Sequence, residues 1–158
     1  MKYSRFEELP VWNDAIELAT LVVALTSNRT FVRQPSLRGQ IERAAVSVSN
    51  NVAEGFERGT TQELLTFIYI ARGSAGEVRS MLCLLERLPE FANLKSEISD
   101  LKSAAEKICR QLRAWADSLQ NSPIRGQRYL TEKARRIEQA GKDRKAFMQE
   151  LRRVQTRE

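Results

Sequence analysis

The apolar residues of the chain recur at helical spacing along four separate stretches. The first stretch, from Pro10 to Thr26, is apolar over more than half of its circumference when it is drawn as a helix. The second runs from Pro35 to about Glu57 and has a single apolar stripe, because its apolar residues lie three or four positions apart. Proline suits the first turn of a helix, so Pro10 and Pro35 mark the predicted beginnings of two helices.

Two more helices are predicted downstream. The third begins at Thr60, whose hydroxyl is placed to cap it while Glu63 reaches back, and it ends before Pro89. The fourth follows Asn93, runs to Asn121 and carries the narrowest apolar stripe of the chain. This stripe consists of Leu94, Ile98, Leu101, Ala105, Ile108, Leu112, Trp115 and Leu119.

Four helices joined by short connections predict an all-α fold, an antiparallel up-and-down four-helix bundle that occupies residues 1–121. The first helix has an apolar face left over, which suggests contact with a second subunit. The third helix carries a second, semi-apolar column, which we expect to lie away from the core and to contact another subunit. The members of this column are Leu65, Tyr69, Cys83, Arg72 and Arg79.

Residues 122–158 are predicted to be a separate, basic C-terminal extension. Their apolar residues follow roughly helical spacing, but Gly141 and Lys142 interrupt the pattern, so a partly helical segment is expected. The extension contains 11 Lys and Arg against 5 Asp and Glu, whereas residues 1–120 contain 15 of each sign. The net charge of +6 therefore comes entirely from the extension.

The composition argues against several classes of function. The chain has no histidine, so the usual general base near neutral pH and the commonest metal ligand are missing. Its two cysteines, Cys83 and Cys109, lack the spacing of a zinc or redox motif and are expected to be free thiols. We expect no metal, no cofactor and no catalytic residues. No stretch reads as a secretory signal or a membrane span, so the protein is expected to be cytoplasmic.

A row of polar residues follows the second helix beside its apolar stripe, within about 80° on the helical wheel. We interpret it as part of a structural network in which Arg43 can pair with Glu54 or Glu77, while Gly73 and Gly76 allow close approach of helices. A groove for a ligand or nucleic acid is the alternative interpretation. The network consists of Gln40, Arg43, Ser47, Asn51, Glu54, Ser74 and Glu77.

Two groups of cations are candidates for nucleic-acid binding. One follows an outer flank of the fourth helix, although an ordinary solvated face explains that column equally well. The other lies in the extension, where Tyr129 and Phe147 are candidate stacking groups. Neither group is suited to reading bases, so phosphate contacts with little sequence specificity are expected. The candidates are Lys95, Lys102, Arg110 and Arg113 on the helix, and Arg125, Arg128, Arg135, Arg136, Arg144 and Lys145 in the extension.

Three separated motifs resemble one known family. Residues 40–55 read QIERAAVSVSNNVAEG, residues 71–77 read ARGSAGE, and residues 6–12 read FEELPVW. Together they are similar to the four-helix-bundle proteins encoded by intervening sequences of 23S ribosomal RNA genes. The resemblance covers about residues 6–120. The connection at residues 30–34 and the extension depart from the family's pattern.

The resemblance implies further properties. A relative of the family, the accessory variability determinant of diversity-generating retroelements, forms a pentameric ring that binds nucleic acid and a reverse transcriptase. The resemblance therefore implies a homopentamer with nucleic-acid contacts. We expect a non-enzymatic, homo-oligomeric bundle that binds RNA or DNA. A protein-docking accessory subunit, for example of a retroelement reverse transcriptase, is the alternative.

Overall fold

The computed structural model describes residues 3–121, 139–141, 143–144 and 147–149. The chain divides into two compact units, residues 1–126 and residues 127–158. In the second unit the described residues are helical and exposed. The predicted domain boundary after Asn121 stays a prediction.

Four long helices make up the described part of the first unit: α1 (Pro10–Thr26), α2 (Pro35–Glu57), α3 (Thr61–Leu85) and α4 (Lys95–Gln120). Each packs against two others, in the cyclic order α1, α2, α3, α4. Short 3-10 helices precede α1, α2 and α4 at Phe6–Glu8, Arg29–Arg33 and Pro89–Leu94. The predicted all-α, up-and-down four-helix bundle is confirmed.

Local sequence explains where the helices begin. Pro10 and Pro35 occupy first-turn positions of α1 and α2, as predicted. At α3 the Thr60 hydroxyl accepts a hydrogen bond from the Glu63 backbone N–H at 3.2 Å. The Glu63 carboxylate reaches back, but it accepts from the Thr60 hydroxyl at 2.7 Å. The hydroxyl therefore satisfies one free N–H of the first turn.

The core runs the full length of the bundle and takes apolar side chains from all four helices. Phenylalanines close both ends, with Phe56 at one end and Phe31 and Phe91 at the other, each no more than 1% exposed. α1 also keeps apolar side chains outside the core: Ile16 is 39% exposed and Val23 is 45% exposed. This is the leftover apolar face that the sequence predicts. No helix among the described residues is long and apolar enough to cross a membrane.

The second column on α3 lies against α4, so its predicted position away from the core is wrong. Leu65 is only 8% exposed and belongs to the core. The Tyr69 hydroxyl accepts a hydrogen bond from Gln120 at 2.6 Å, and Arg79 forms an ion pair with Glu106 at 3.4 Å. A helix with two neighbours buries a wider arc than one stripe, which accounts for the difference.

One end of the bundle carries two connections, from α1 to α2 and from α3 to α4. We call residues 27–34 and 86–95 the connection end. The Phe31 and Phe91 rings meet edge to face at the connection end, with centroids 4.8 Å apart. Gln34 adds a hydrogen bond to Glu90 at 3.4 Å. These contacts hold the two connections together.

α2 and α3 lie close together at Gly55. A Cβ atom at this position would lie 2.7 Å from the Phe67 Cβ and 3.2 Å from the Leu64 Cδ1. At Gly73 and Gly76, by contrast, an added Cβ would have no neighbour within 4 Å. The close helix approach expected at Gly73 and Gly76 is therefore absent there and occurs at Gly55 instead.

Candidate nucleic-acid interface

Part of the predicted polar network joins α2 to α3. The hydroxyls of Ser47 and Ser74 share a hydrogen bond of 2.9 Å across the two helices. Asn51 donates from its amide to the Ser47 carbonyl at 2.7 Å and to the Ser47 hydroxyl at 2.9 Å. All three side chains are partly buried. Their polar atoms bind each other, so this cluster connects two helices.

The remaining residues of the predicted network lie outside this cluster. Glu54 pairs with Arg58, one turn along α2, and the Arg58 guanidinium carbon lies 5.0 Å from the centroid of the Phe67 ring. The side chains of Gln40, Arg43 and Glu77 are exposed and make no hydrogen bond or ion pair within the described part of the chain. Arg43 is thus not brought to Glu54 or Glu77.

Both cysteines are free and partly buried. The Cys109 thiol lies 3.9 Å from the Arg72 carbonyl oxygen, and burial raises the pKa of this thiol. A raised pKa keeps the thiol protonated and unreactive. Among the described residues no group of three or more metal-ligating side chains comes together.

The predicted basic column on α4 is largely neutralised by ion pairs. Lys102 donates to Glu86 at 2.6 Å, and this hydrogen bond raises the pKa of the Lys102 ammonium. Arg110 lies 3.7 Å from Glu106. Arg113 lies 3.8 Å from Asp117. Lys95 is the member of the column without a carboxylate partner in the described residues. The column therefore presents less positive potential than its cations alone suggest.

Most cations of the described bundle that lack a carboxylate partner lie at the connection end. Arg29, Arg33, Arg87 and Lys95 belong to the connection end, and all four are exposed. Apart from Lys95 they were not among the predicted binding residues. The sequence does contain a signal, because residues 18–41 include three arginines and no carboxylate.

A groove of about 420 Å³ separates the C-terminal half of α1 from the start of α4. Its walls include Leu21, Leu25 and Leu101, and its polar residues are Asn28, Glu97 and Asp100. Because two carboxylates line it, this groove is unsuited to phosphate.

The structure describes one of the six binding residues predicted in the extension. Arg144 is helical and exposed. The other five, Arg125, Arg128, Arg135, Arg136 and Lys145, lie outside the described residues.

Comparisons with known proteins agree with the motifs. Residues 7–114 match the model of a family described as 23S rRNA-intervening sequence protein. One similar solved structure is a crystal structure of a protein with unknown function from the S23 ribosomal protein family of Bacteroides thetaiotaomicron. It is 20% identical in sequence to this chain, and the match has a TM-score of 0.60 and covers 67% of this chain and 97% of that one. This likeness shows the fold alone. No curated protein shows a significant match. Since the family model matches more than half of the sequence, the chain belongs to the 23S rRNA-intervening sequence protein family.

Proposed function

We propose that this protein is a non-enzymatic, homo-oligomeric helical bundle of the cytoplasm that binds RNA or DNA through phosphate contacts from arginine and lysine. The observation that carries the proposal is the uneven distribution of charge. Residues 122–158 have 11 cations against 5 anions, whereas residues 1–120 are balanced. Such a local excess attracts a polyanion and releases the counterions condensed on it.

The proposed assembly rests on the outer face of α1. Ile16 and Val23 leave about two fifths of their surface exposed on a helix that already buries a full stripe in the core. Exposed apolar surface of this kind marks contact sites between proteins. A homopentamer, which the resemblance implies, would repeat every cationic group five times and so strengthen the potential felt by a phosphate backbone.

The arrangement of polar side chains supports a scaffold without catalysis. Ser47, Asn51 and Ser74 hydrogen-bond one another between two helices. The ion pairs on α4 lie on its surface. None of these groups is poised beside a general base, and the sequence contains no histidine.

Truncation after Asn121 tests the role of the extension. We expect the truncated chain to keep its helical circular dichroism, since the bundle has its own core, and to bind a labelled duplex at least tenfold more weakly than the full chain. Fluorescence anisotropy at 50 mM salt measures the difference. Equal affinities of the two chains would show that the extension does not carry the binding.

A protein-docking accessory subunit, for example of a retroelement reverse transcriptase, is the second candidate. One observation in the described part of the extension favours this second function: Phe147 is 64% exposed and Met148 is 48% exposed. Exposed apolar residues in a basic helix suit a protein partner. Co-purification with a reverse transcriptase that survives nuclease treatment would favour this function over direct nucleic-acid binding.

A further inference from the structure

The pairing of charges divides the surface of the bundle. Along the sides of the helices most cations face carboxylates: Lys107 pairs with Asp14 at 2.8 Å and Lys102 pairs with Glu86 at 2.6 Å. Arg43 and Arg72 are exceptions, with no ion-pair partner within the described residues. At the connection end, four exposed cations have no ion-pair partner within the described residues: Arg29, Arg33, Arg87 and Lys95. They come from two connections that the fold brings together. The structure thus concentrates available positive charge at one end of the bundle.

The first connection is held in a fixed conformation. The Asn28 side chain accepts hydrogen bonds from the Thr30 backbone N–H at 3.0 Å and from the Thr30 hydroxyl at 2.9 Å. Phe31 is 1% exposed and anchors the turn against Phe91. Arg29 and Arg33 therefore extend from a turn that is already ordered, so less backbone entropy is lost when they bind a ligand.

The outer surface of this turn is open. Val32, between the anchor Phe31 and Arg33, is 73% exposed, the largest exposed fraction among the large apolar side chains of the bundle. The Arg87 side chain makes one hydrogen bond within the described residues, from its Nη1 to the Cys83 carbonyl at 3.3 Å. A guanidinium has five N–H donors, so most of those on Arg87 remain available.

Several carboxylates lie at or beside the connection end. Glu86 is bound by Lys102, and Glu90 accepts a hydrogen bond from Gln34. Glu97 and Asp100 line the groove between α1 and α4, whose walls also include Asn28 and Leu94 of the connection end. Glu90, Glu97 and Asp100 have no cationic partner among the described residues, so they would oppose an approaching phosphate. Glu90 is the one that belongs to the connection end itself.

We propose that the connection end is a phosphate-binding surface, in which Arg29, Arg33, Arg87 and Lys95 contact the sugar-phosphate backbone of RNA or DNA. This inference rests on the proposed function and places a binding site on the bundle itself, one that shares only Lys95 with the α4 column and includes no residue of the extension. In a cyclic oligomer every copy presents its connection end in an equivalent position around the symmetry axis. The four cations would then form a ring of charge that follows a backbone without reading bases.

The test compares four proteins by anisotropy with a fluorescein-labelled 20-base-pair RNA duplex and the matching DNA duplex, from 50 to 200 mM salt. They are the full-length wild type, R29Q/R33Q, the control R5Q/R58Q and E90Q. The control removes the same charge from two exposed arginines, one before α1 and one after α2, away from the connection end. All substituted residues are exposed or held by weak contacts, so thermal unfolding should stay within a few degrees of the wild type.

We expect R29Q/R33Q to weaken binding at least tenfold and to reduce the slope of log K against log salt by about 1.8 for each subunit that contacts the duplex, since each lost phosphate contact removes about 0.9. The control should change affinity less than about twofold, and E90Q should strengthen binding about twofold. A preference for one duplex identifies which nucleic acid the surface favours.

Two negative results have different meanings. If the wild type binds and R29Q/R33Q binds equally well, or if both double variants lose the same affinity, the assignment to the connection end is overturned while the proposed function stands. If the wild type binds neither duplex at 50 mM salt, the proposed function itself fails.

Discussion

Replacement of Phe91 by alanine is expected to lower the free energy of unfolding by about 4 kcal/mol, because truncation of a buried phenylalanine typically costs 3–5 kcal/mol. Phe91 is fully buried, and its ring packs edge to face on Phe31 at 4.8 Å. The substitution removes the contact that joins the two connections and leaves a cavity at that end of the core. Urea unfolding followed by circular dichroism measures the change.

Two control substitutions sharpen this test. Phe91→Leu keeps most of the apolar volume and should cost about 1 kcal/mol, mainly through the lost ring contact. Val32→Ala, on the exposed surface of the same end, should change stability by less than about 0.5 kcal/mol. A cost below about 2 kcal/mol for Phe91→Ala would mean that the two connections are not packed as described.

Replacement of Gly55 by alanine is expected to destabilise the protein by about 2 kcal/mol, although alanine is the better helix former. The new methyl group would lie 2.7 Å from the Phe67 Cβ, which is fixed to the backbone of α3 and cannot rotate away. Overpacking of this kind costs up to about 3 kcal/mol, and the gain in helix propensity returns about 1 kcal/mol. The helices must move apart to relieve the contact.

The same substitution at Gly73 or Gly76 should have the opposite sign. Both residues lie inside α3, and an added Cβ would meet nothing within 4 Å. Alanine should therefore stabilise the helix by about 0.5–1 kcal/mol at each site. Urea unfolding of the three single variants measures all three effects. Stabilisation by Gly55→Ala would contradict the close approach of α2 and α3.

The sequence predicted the helices well where a local signal marks their ends. Pro10 and Pro35 begin α1 and α2, and the Thr60 side chain begins α3. The fourth helix was harder to delimit, since Leu94, counted in its stripe, belongs to the preceding 3-10 helix. The backbone hydrogen bonding changes at this point from 3-10 to α-helical, and apolar spacing does not distinguish the two types of helix.

Pairwise contacts between helices could not be predicted in the same way. Gly55 ends the motif at residues 40–55, yet only the axial register of α2 against α3 puts it opposite Phe67. Register likewise decides that Ser47 meets Ser74. Helical periodicity fixes the face on which a residue lies, but it does not fix the height of its partner.

Charge patterns in the sequence predicted only part of the candidate site. The cations on α4 predicted a basic column that has Glu106 and Asp117 among them, and these carboxylates lie one turn from Arg110 and Arg113 in the sequence. Only the pairing of Lys102 with Glu86 depends on the fold. Arg29 and Arg33 lie in the connection between α1 and α2, outside the predicted helices. Arg29 and Arg33 become candidates because the connection between α3 and α4 lies at the same end of the bundle as theirs. This is a consequence of the topology that no single segment of the sequence shows.

The central claim, that an oligomer of this chain binds nucleic acid through its phosphates, can be tested with one titration. A labelled RNA duplex is titrated with the full-length protein from 50 to 200 mM salt, and light scattering gives the protein's mass in the same buffers. We expect a multiple of the 18.1 kDa chain whose affinity falls at least tenfold across this range. An oligomer that binds neither RNA nor DNA duplex at 50 mM salt would contradict the claim and favour the protein-docking function.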